Sequence, residues 1–450
     1  MLRNSVSISI LIFLVALYIS SCLPGHEVND YRGYKVYRIK TENETDINVL
    51  KIFEKNHPEV DFWTSIQSPT KYTDVMIPQS YFLDLQSMLK EANILFAETI
   101  PDVKKLVDSQ RESQQFGKMR LRHDGVIYES FNFDRFPRFD QVEAWIDFLL
   151  QEYPELLEII EIGKSYEGRI MKVLKVGKKT KSFKPAIWID AGIHAREWIT
   201  VTTILYFLSQ LVEPKRWSND TLLHDLSNEY LDKLDFYILP IHNPDGYEYT
   251  HTAERLWRKT RSTNKRSTCI GADANRNWGH SSWGATGASD NPCSQVYQGE
   301  TKFSEIENEN VKNFLISHRD SIFSFMSIHS YSQLWLLPYG HGSQHPKDYD
   351  ELYAVGLNAS LALESVHGTK YQVGSITDLL YFASGSSLDW AYDNLKVKYS
   401  YGLELRDRGE YGFLLPVNEI LPVGQETWDG YKVVINKIIE EYGFLTKGKD

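Results

Sequence analysis

Cysteine is scarce in this chain of 450 residues: three in all, at positions 22, 269 and 293. So few thiols exclude a small disulfide-dense scaffold and a cysteine-built zinc module. Positive charge is also short, with 49 Lys and Arg against 60 Asp and Glu and a formal net charge of -11. A nucleic-acid partner needs a basic face to neutralise phosphates, which sets that class aside. Beyond the first twenty residues no apolar run is long enough to span a bilayer, so no membrane partner is expected. Several catalytic signatures are missing too. There is no HExxH, hence no metalloendopeptidase built on that motif, and no GxSxG elbow. "GKSYEG" is not a nucleotide loop, because Glu158 stands where the first glycine of GxxxxGK[ST] belongs. Internal repeats and low-complexity tracts are absent.

What is present indicates two folded units. Hydrophobic residues make up 42% and aromatics 13%, enough for large cores, and the length exceeds one typical domain. Arg3, the apolar run Val6 to Ile19 and the small residues of "SSC" read as a secretory signal over 1–22. A secreted chain is therefore expected. "ISSC" also resembles a lipoprotein box that would make Cys22 an anchor; if Cys22 leaves with the signal, Cys269 and Cys293 form an even pair and suggest a disulfide, worth roughly 3 kcal/mol in the chain-entropy view. Sequons at Asn43, Asn219 and Asn358 fit the same compartment.

Residues 33–40 alternate like a strand and 46–57 read as a helix. "VDFWTSI" and "YTDVMIP" read as strands, "YFLDLQSMLKEANI" as a helix and "LFAETI" as a last strand. That βαββαβ order predicts a small α+β unit, followed by a charged helical connector from Pro101 to about Gln115. Then comes "GKMRLRHDG", with Lys118, Arg120 and Arg122. It reads either as a solvated linker or as a trypsin-type processing seam. From about residue 135 amphipathic helices alternate with short apolar runs: "KPAIWIDAG", "LDFYILPIHNPDG", "IFSFMSIHSY" and "VKYSYGLEL". Such runs are central strands of an α/β fold, a mixed, mostly parallel twisted sheet flanked by helices. Ligands bind beyond the carboxyl ends of strands in such sheets, and His194, His329 and Glu404 fall at those ends.

"AGIHAREWIT" places His194 and Glu197 three residues apart, one face of a helix start. Both are suitable zinc ligands, but HxxE alone reads first as a dipole-favoured Glu beside a part-buried His. The wider pattern decides. "AGIHAREW", "RLWRKTRS", "DANRNW", "SIHSYSQ", "ASGSSLDWAYD" and "LELRDRGEYGFLLP" follow in this order. Together they resemble the pancreatic-type zinc metallocarboxypeptidases of the carboxypeptidase A/B family, in precursor form.

The resemblance implies one Zn2+ per chain on His194, Glu197 and His329, the two-His, one-Glu set long associated with carboxypeptidase A. It implies that Asp273 orients a ligand His, that Glu404 is the catalytic base and that Arg258 stabilises the developing oxyanion. Arg276, helped by Asn275, would grip the substrate's terminal carboxylate, a planar fork matched to a carboxylate. Tyr381 would close over the chain end, while Arg196, Tyr331 and Phe413 would line upstream subsites. Leu388 stands where basic-specific members carry Asp, and Ile376, Leu380 and Ala383 are apolar too. A buried cation would lack a partner there, so aromatic or large aliphatic termini are expected. Gly402, Ser386 and Phe382 depart from the commonest A-type pattern.

The resemblance further implies an inhibitory propeptide over 23–122, a catalytic domain over 123–450 and a cis peptide at Ser330–Tyr331. The expected partners are peptide or protein C-termini and an activating trypsin-like protease, with the enzyme a monomer. Basic-terminus specificity and a non-catalytic secreted zinc-binding relative are the alternatives. Glu404 and Arg258 argue against the second, since a binding module can spare both.

Overall fold

The computed structural model describes residues 29–57, 59–66, 72–113, 120–123, 126–129, 131–214 and 221–442. The signal segment, Lys118 and the Asn219 sequon lie outside them. Arg120 and Arg122 fall on a short strand, β5 (Arg120–His123), paired antiparallel with β6 (Val126–Glu129).

The N-terminal unit has the expected βαββαβ order. Strand β1 (Tyr34–Lys40), helix α1 (Glu44–Asn56), β2 (Asp61–Phe62), β3 (Tyr72–Pro78), α2 (Phe82–Glu91) and β4 (Leu95–Ile100) form an antiparallel sheet ordered β2-β3-β1-β4. Helix α1 begins where the Asn43 side chain accepts the Asp46 N–H, an N-cap that satisfies one orphan donor. Ile47, Leu50 and Phe53 recur at helical spacing and are buried against Tyr37, Ile39, Val75 and Ile77 of the sheet. The run read as the strand "VDFWTSI" pairs only at Asp61–Phe62. The connector is helix α3 (Val103–Ser113), which buries Val103, Val107 and Gln110.

In the larger unit, helix α4 (Phe139–Glu152) precedes the hairpin β7 (Leu157–Lys164) and β8 (Ile170–Val176). An eight-stranded sheet follows the order β13-β12-β14-β11-β9-β10-β8-β7. Its centre is parallel: β10 (Asp235–Leu239), β9 (Ala186–Ala191), β11 (Ile322–Ser330) and β14 (Tyr399–Leu405). Every residue of β9 is buried, as a strand covered on both faces requires. The flanking strands β12 (Leu334–Leu337) and β13 (Gln372–Ser375) make the sheet mixed, because β12 runs antiparallel to β14. The fold class is therefore as read from the sequence.

Two apolar layers enclose this sheet. On one side lie α5 (Trp198–Val212) and the long α12 (Ile420–Tyr442). All fifteen residues of α5 are buried, which explains its lack of a polar stripe. The two helices cross at Gly424, where a Cβ would lie 2.7 Å from Cγ of Tyr206. Only a residue without a side chain lets them approach so closely. On the other side Trp188, Phe314, Phe325, Trp278 and Trp390 form the second core. Cys269 and Cys293 are joined in the expected disulfide. Asn43 and Asn358 are exposed. Among the described residues, no helix is long and apolar enough to cross a membrane.

Candidate active site

Three adjacent strands aim the site. Residue 194 follows β9, His329 lies near the end of β11, and Glu404 lies opposite His329 in the β11–β14 register. His194 and Glu197 are not in the first helical turn. They sit in the loop before α5, where Glu197 is the N-cap residue and its N–H is bonded to the carbonyl of His194 at 3.3 Å. A turn, rather than helix periodicity, places both side chains on one side.

His194 Nδ1 lies 2.7 Å from Glu197 Oε1 and 3.3 Å from His329 Nδ1, and His329 Nδ1 lies 3.4 Å from Glu197 Oε2. One donor atom from each of the three comes within 4.8 Å of the others, and all three residues are buried. The remaining ring nitrogens are engaged elsewhere. His194 Nε2 meets Asp273 Oδ1 at 3.1 Å, while His329 Nε2 meets the Ser327 hydroxyl at 3.2 Å and Asn275 Nδ2 at 3.4 Å. Two imidazole nitrogens and a carboxylate converging, with their far sides anchored, fit the donor set and supporting bonds that zinc takes. Burial opposes the charge on Glu197, but His194 and His329 more than offset it and hold the carboxyl well below its usual range.

Asp273 ties the centre to the surrounding cations. Burial likewise opposes its charge, yet Arg258, His194 and Arg276 keep it well below the usual carboxylate range. Arg258 donates to Asp273 Oδ2 from Nη2 at 2.8 Å and from Nε at 3.2 Å, and its Nη1 lies 3.9 Å from Glu197 Oε1. Glu404 is the counterpart case. Burial pushes its carboxyl up, and His329 only partly draws it back.

Next to this centre lies a cavity lined by Arg276, Asn275, Tyr381, Ile376, Leu380, Ala383, Leu388 and Gly402, with His194, His329 and Glu404 at its rim. Arg276 is 2% exposed; its Nε donates to the Gly287 carbonyl at 2.7 Å and Nη1 to Asn275 at 2.9 Å, while Nη2 has no partner. Gly287, at φ +94°, makes that arrangement possible, because a Cβ there would meet the Phe382 carbonyl oxygen at 1.8 Å. The Arg276 guanidinium lies 5.7 Å from the Tyr381 ring. Asn275 Oδ1 accepts the Ser387 N–H at 2.9 Å, which fixes its amide. At Gly402 a Cβ would find Leu336 and Leu388 at 3.6 Å, ordinary contact distance, so the glycine leaves room in the cavity.

The remaining candidates gather on another side of the centre, under the N-terminal unit. Tyr331 follows a cis peptide after Ser330. Its hydroxyl donates to Asp74 at 2.6 Å, and Arg196 Nη1 pairs with Asp61 at 2.7 Å. Trp63 packs on Phe413 and Tyr331, with ring centroids 5.1 and 6.3 Å apart. The catalytic, metal and substrate candidates named from the sequence thus lie either at this centre and its cavity or against the N-terminal unit. Asp61, Trp63 and Asp74 were not legible in the sequence, because their partners Arg196, Phe413 and Tyr331 lie far away in the chain. Ser327 and Asp190, bonded at 2.8 Å behind His329, were missed as ordinary strand residues.

Comparison with known proteins follows the same division. Residues 142–430 match the zinc carboxypeptidase family and residues 37–110 match the carboxypeptidase activation peptide. The chain belongs to the zinc carboxypeptidase family. Carboxypeptidase A2 of Mus musculus is 40% identical over 407 residues, covering 90% of this chain and 94% of the relative. Carboxypeptidase B of Astacus astacus is 48% identical over 305 residues, covering 68% and 97% respectively. Among solved structures, thrombin activatable fibrinolysis inhibitor superposes with a TM-score of 0.80 at 31% identity, covering 90% of this chain and 98% of that one. Carboxypeptidase A from Helicoverpa armigera gives 0.78 at 27% identity, covering 94% and 100%. This zinc carboxypeptidase therefore carries an activation peptide, acts on peptide C-termini and is activated by proteolysis.

Proposed function

We propose that this is a secreted, monomeric zymogen whose mature form removes aromatic or large aliphatic residues from peptide C-termini. Its signal is 1–22, its propeptide 23–122 and its catalytic domain 123–450, separated by tryptic-type cleavage in the seam of Lys118, Arg120 and Arg122. The carrying observation is the apolar cavity floor at Leu388 beside the partner-free Nη2 of Arg276. A free carboxylate satisfies that guanidinium, and an uncharged side chain fills the space beyond it.

His194, Glu197 and His329 hold the zinc, with Asp273 fixing the tautomer of His194. When bound, zinc polarises the scissile carbonyl and makes water a competent nucleophile near neutral pH. Glu404 takes the proton and delivers it to the leaving amine. Arg258 donates to the oxygen as it gains charge. Arg276 and Asn275 fix the terminal carboxylate, Tyr381 covers it, and Arg196, Tyr331 and Phe413 carry the upstream chain.

The 48% identity to a carboxypeptidase B favours a second reading, specificity for basic termini. Against it, the only carboxylate among the described residues lining the cavity is Glu404, at the metal end. The test is to release the propeptide with trypsin and assay blocked dipeptides ending in Phe or Arg, with and without a chelator. Phe hydrolysis that the chelator abolishes is expected. Hydrolysis of the Arg substrate alone overturns the specificity, and chelator-insensitive turnover overturns the metal role.

A further inference from the structure

Two buried guanidiniums of the catalytic side each take one side-chain acceptor from the propeptide. Arg196 is 1% exposed and stacks on the Phe413 ring at 4.1 Å. Its hydrogen bonds are to Asp61 Oδ2 at 2.7 Å and, weakly, to the Leu256 carbonyl at 3.4 Å, while its Nε has no partner. Arg255 is fully buried over the Trp198 ring at 3.6 Å. It donates to Gln110 Oε1 at 2.8 Å and otherwise to the carbonyls of Arg196 and Phe413. Asp61 and Gln110 belong to the propeptide. Among the described residues, the carboxylate in ion-pair contact with Arg196 is Asp61. Glu254 is the nearby acid on the catalytic side, and Arg261 and Arg196 both act on it.

The aromatic surface is shared in the same way. Trp63 of the propeptide lies on Phe413 and Tyr331. Tyr31, Val36, Met76 and Ile100 complete one apolar cluster with Leu256 and Leu414 of the catalytic side. Cleavage and departure of the propeptide remove the ion-pair contact of Arg196 beside two aromatic faces, leaving Glu254 as the nearby acid. An unpaired, part-desolvated charge is costly, and whatever chain next lies there gains by restoring the pair.

We infer that the propeptide is a chemical template for the upstream part of the substrate: the mature enzyme favours peptides with an acidic residue, flanked by an aromatic one, shortly before the terminal residue. This rests on the proposed placement of Arg196, Tyr331 and Phe413 along the upstream path. It adds a substrate class, acidic and aromatic tails, to a selectivity otherwise set by the terminal side chain. Asp74 adds nothing to that class, because it is already paired with Arg38 within the propeptide at 2.6 Å.

The test uses mature enzyme freed from its propeptide. Blocked peptides share one accepted C-terminal residue and carry Asp, Asn or Lys at successive upstream positions, with Trp or Ala alongside. The best Asp peptide should exceed its Lys counterpart in kcat/KM by roughly tenfold at low salt, with the gap shrinking at high salt. Arg196→Gln should close the gap. Isothermal titration of mature Glu404→Gln should show tighter binding of the Asp–Trp peptide than of the Lys–Ala peptide, independent of turnover. Equal rates for Asp and Lys at every position, or a Lys preference, overturn the template and leave the carboxypeptidase reading intact. If no peptide is cleaved, the proposed function fails, and the titration alone decides the upstream site.

Discussion

Glu404 and Leu388 separate two questions at the scale of single residues, how the bond breaks and which chain end is chosen. Glu404→Gln keeps the shape and removes the proposed base. It should lower kcat by about 10²–10⁴ with KM little changed, read from steady-state kinetics of the mature enzyme. An unchanged kcat would remove Glu404 from the chemistry. Leu388→Asp places a carboxylate on the cavity floor and should raise Arg over Phe hydrolysis, as a kcat/KM ratio, by at least tenfold. No shift would mean that Leu388 does not meet the terminal side chain. Both residues were named through the family resemblance of the motifs around them, and both line the same cavity. His194 and Glu197 could not be read from their spacing alone, since HxxE describes any number of helix starts. Asp61 and Trp63 act across the boundary between two units, and no local pattern records a partner so far away in the chain.

At the scale of elements, strand and helix order was legible because apolar alternation and helical spacing reflect burial directly. The antiparallel pairing of β12 was not, because four buried residues give no direction. Nor was the polar layer that helix α8 (Ile306–Ser317) places beside Asp245. In its first turn Glu307 accepts the Tyr166 N–H at 2.8 Å, and its other oxygen has no partner. Burial chiefly, aided by Glu305 and Asp245, pushes its carboxyl from 4.5 up to about 7. The folded state therefore holds this proton more tightly than the unfolded chain. That contribution favours folding at low pH and is lost as pH rises from about 4.5 through 7. Glu307→Gln should raise the Tm at about pH 8 by a few degrees relative to the parent and confer no gain near pH 4.5. An equal effect at both pH values would contradict the burial argument.

The whole molecule is a catalytic unit whose Arg196, Tyr331 and Phe413 are in contact with its own N-terminal part. Asp61, Trp63, Asp74 and Gln110 all precede the proposed seam in sequence, so a cut there does not by itself break their contacts. Trp63→Ala in the intact zymogen should raise its basal peptidase activity several-fold before any cleavage, measured against the fully processed enzyme. A silent variant would show that the aromatic contact does not guard the site. The two-unit architecture itself was evident from the change in pattern near residue 135. How the units clasp was not, because that depends on side chains from several separate stretches meeting at one surface.

The central claim is that a metal centre acts beside a gripped, free chain end, and one progress curve tests it most directly. Intact zymogen is mixed with equal amounts of a peptide ending in Phe as the free acid and the same peptide amidated, and trypsin is then added at a fixed time. Little product is expected before trypsin, and afterwards a burst of Phe from the free acid alone. Comparable cleavage of the amidated peptide would contradict it.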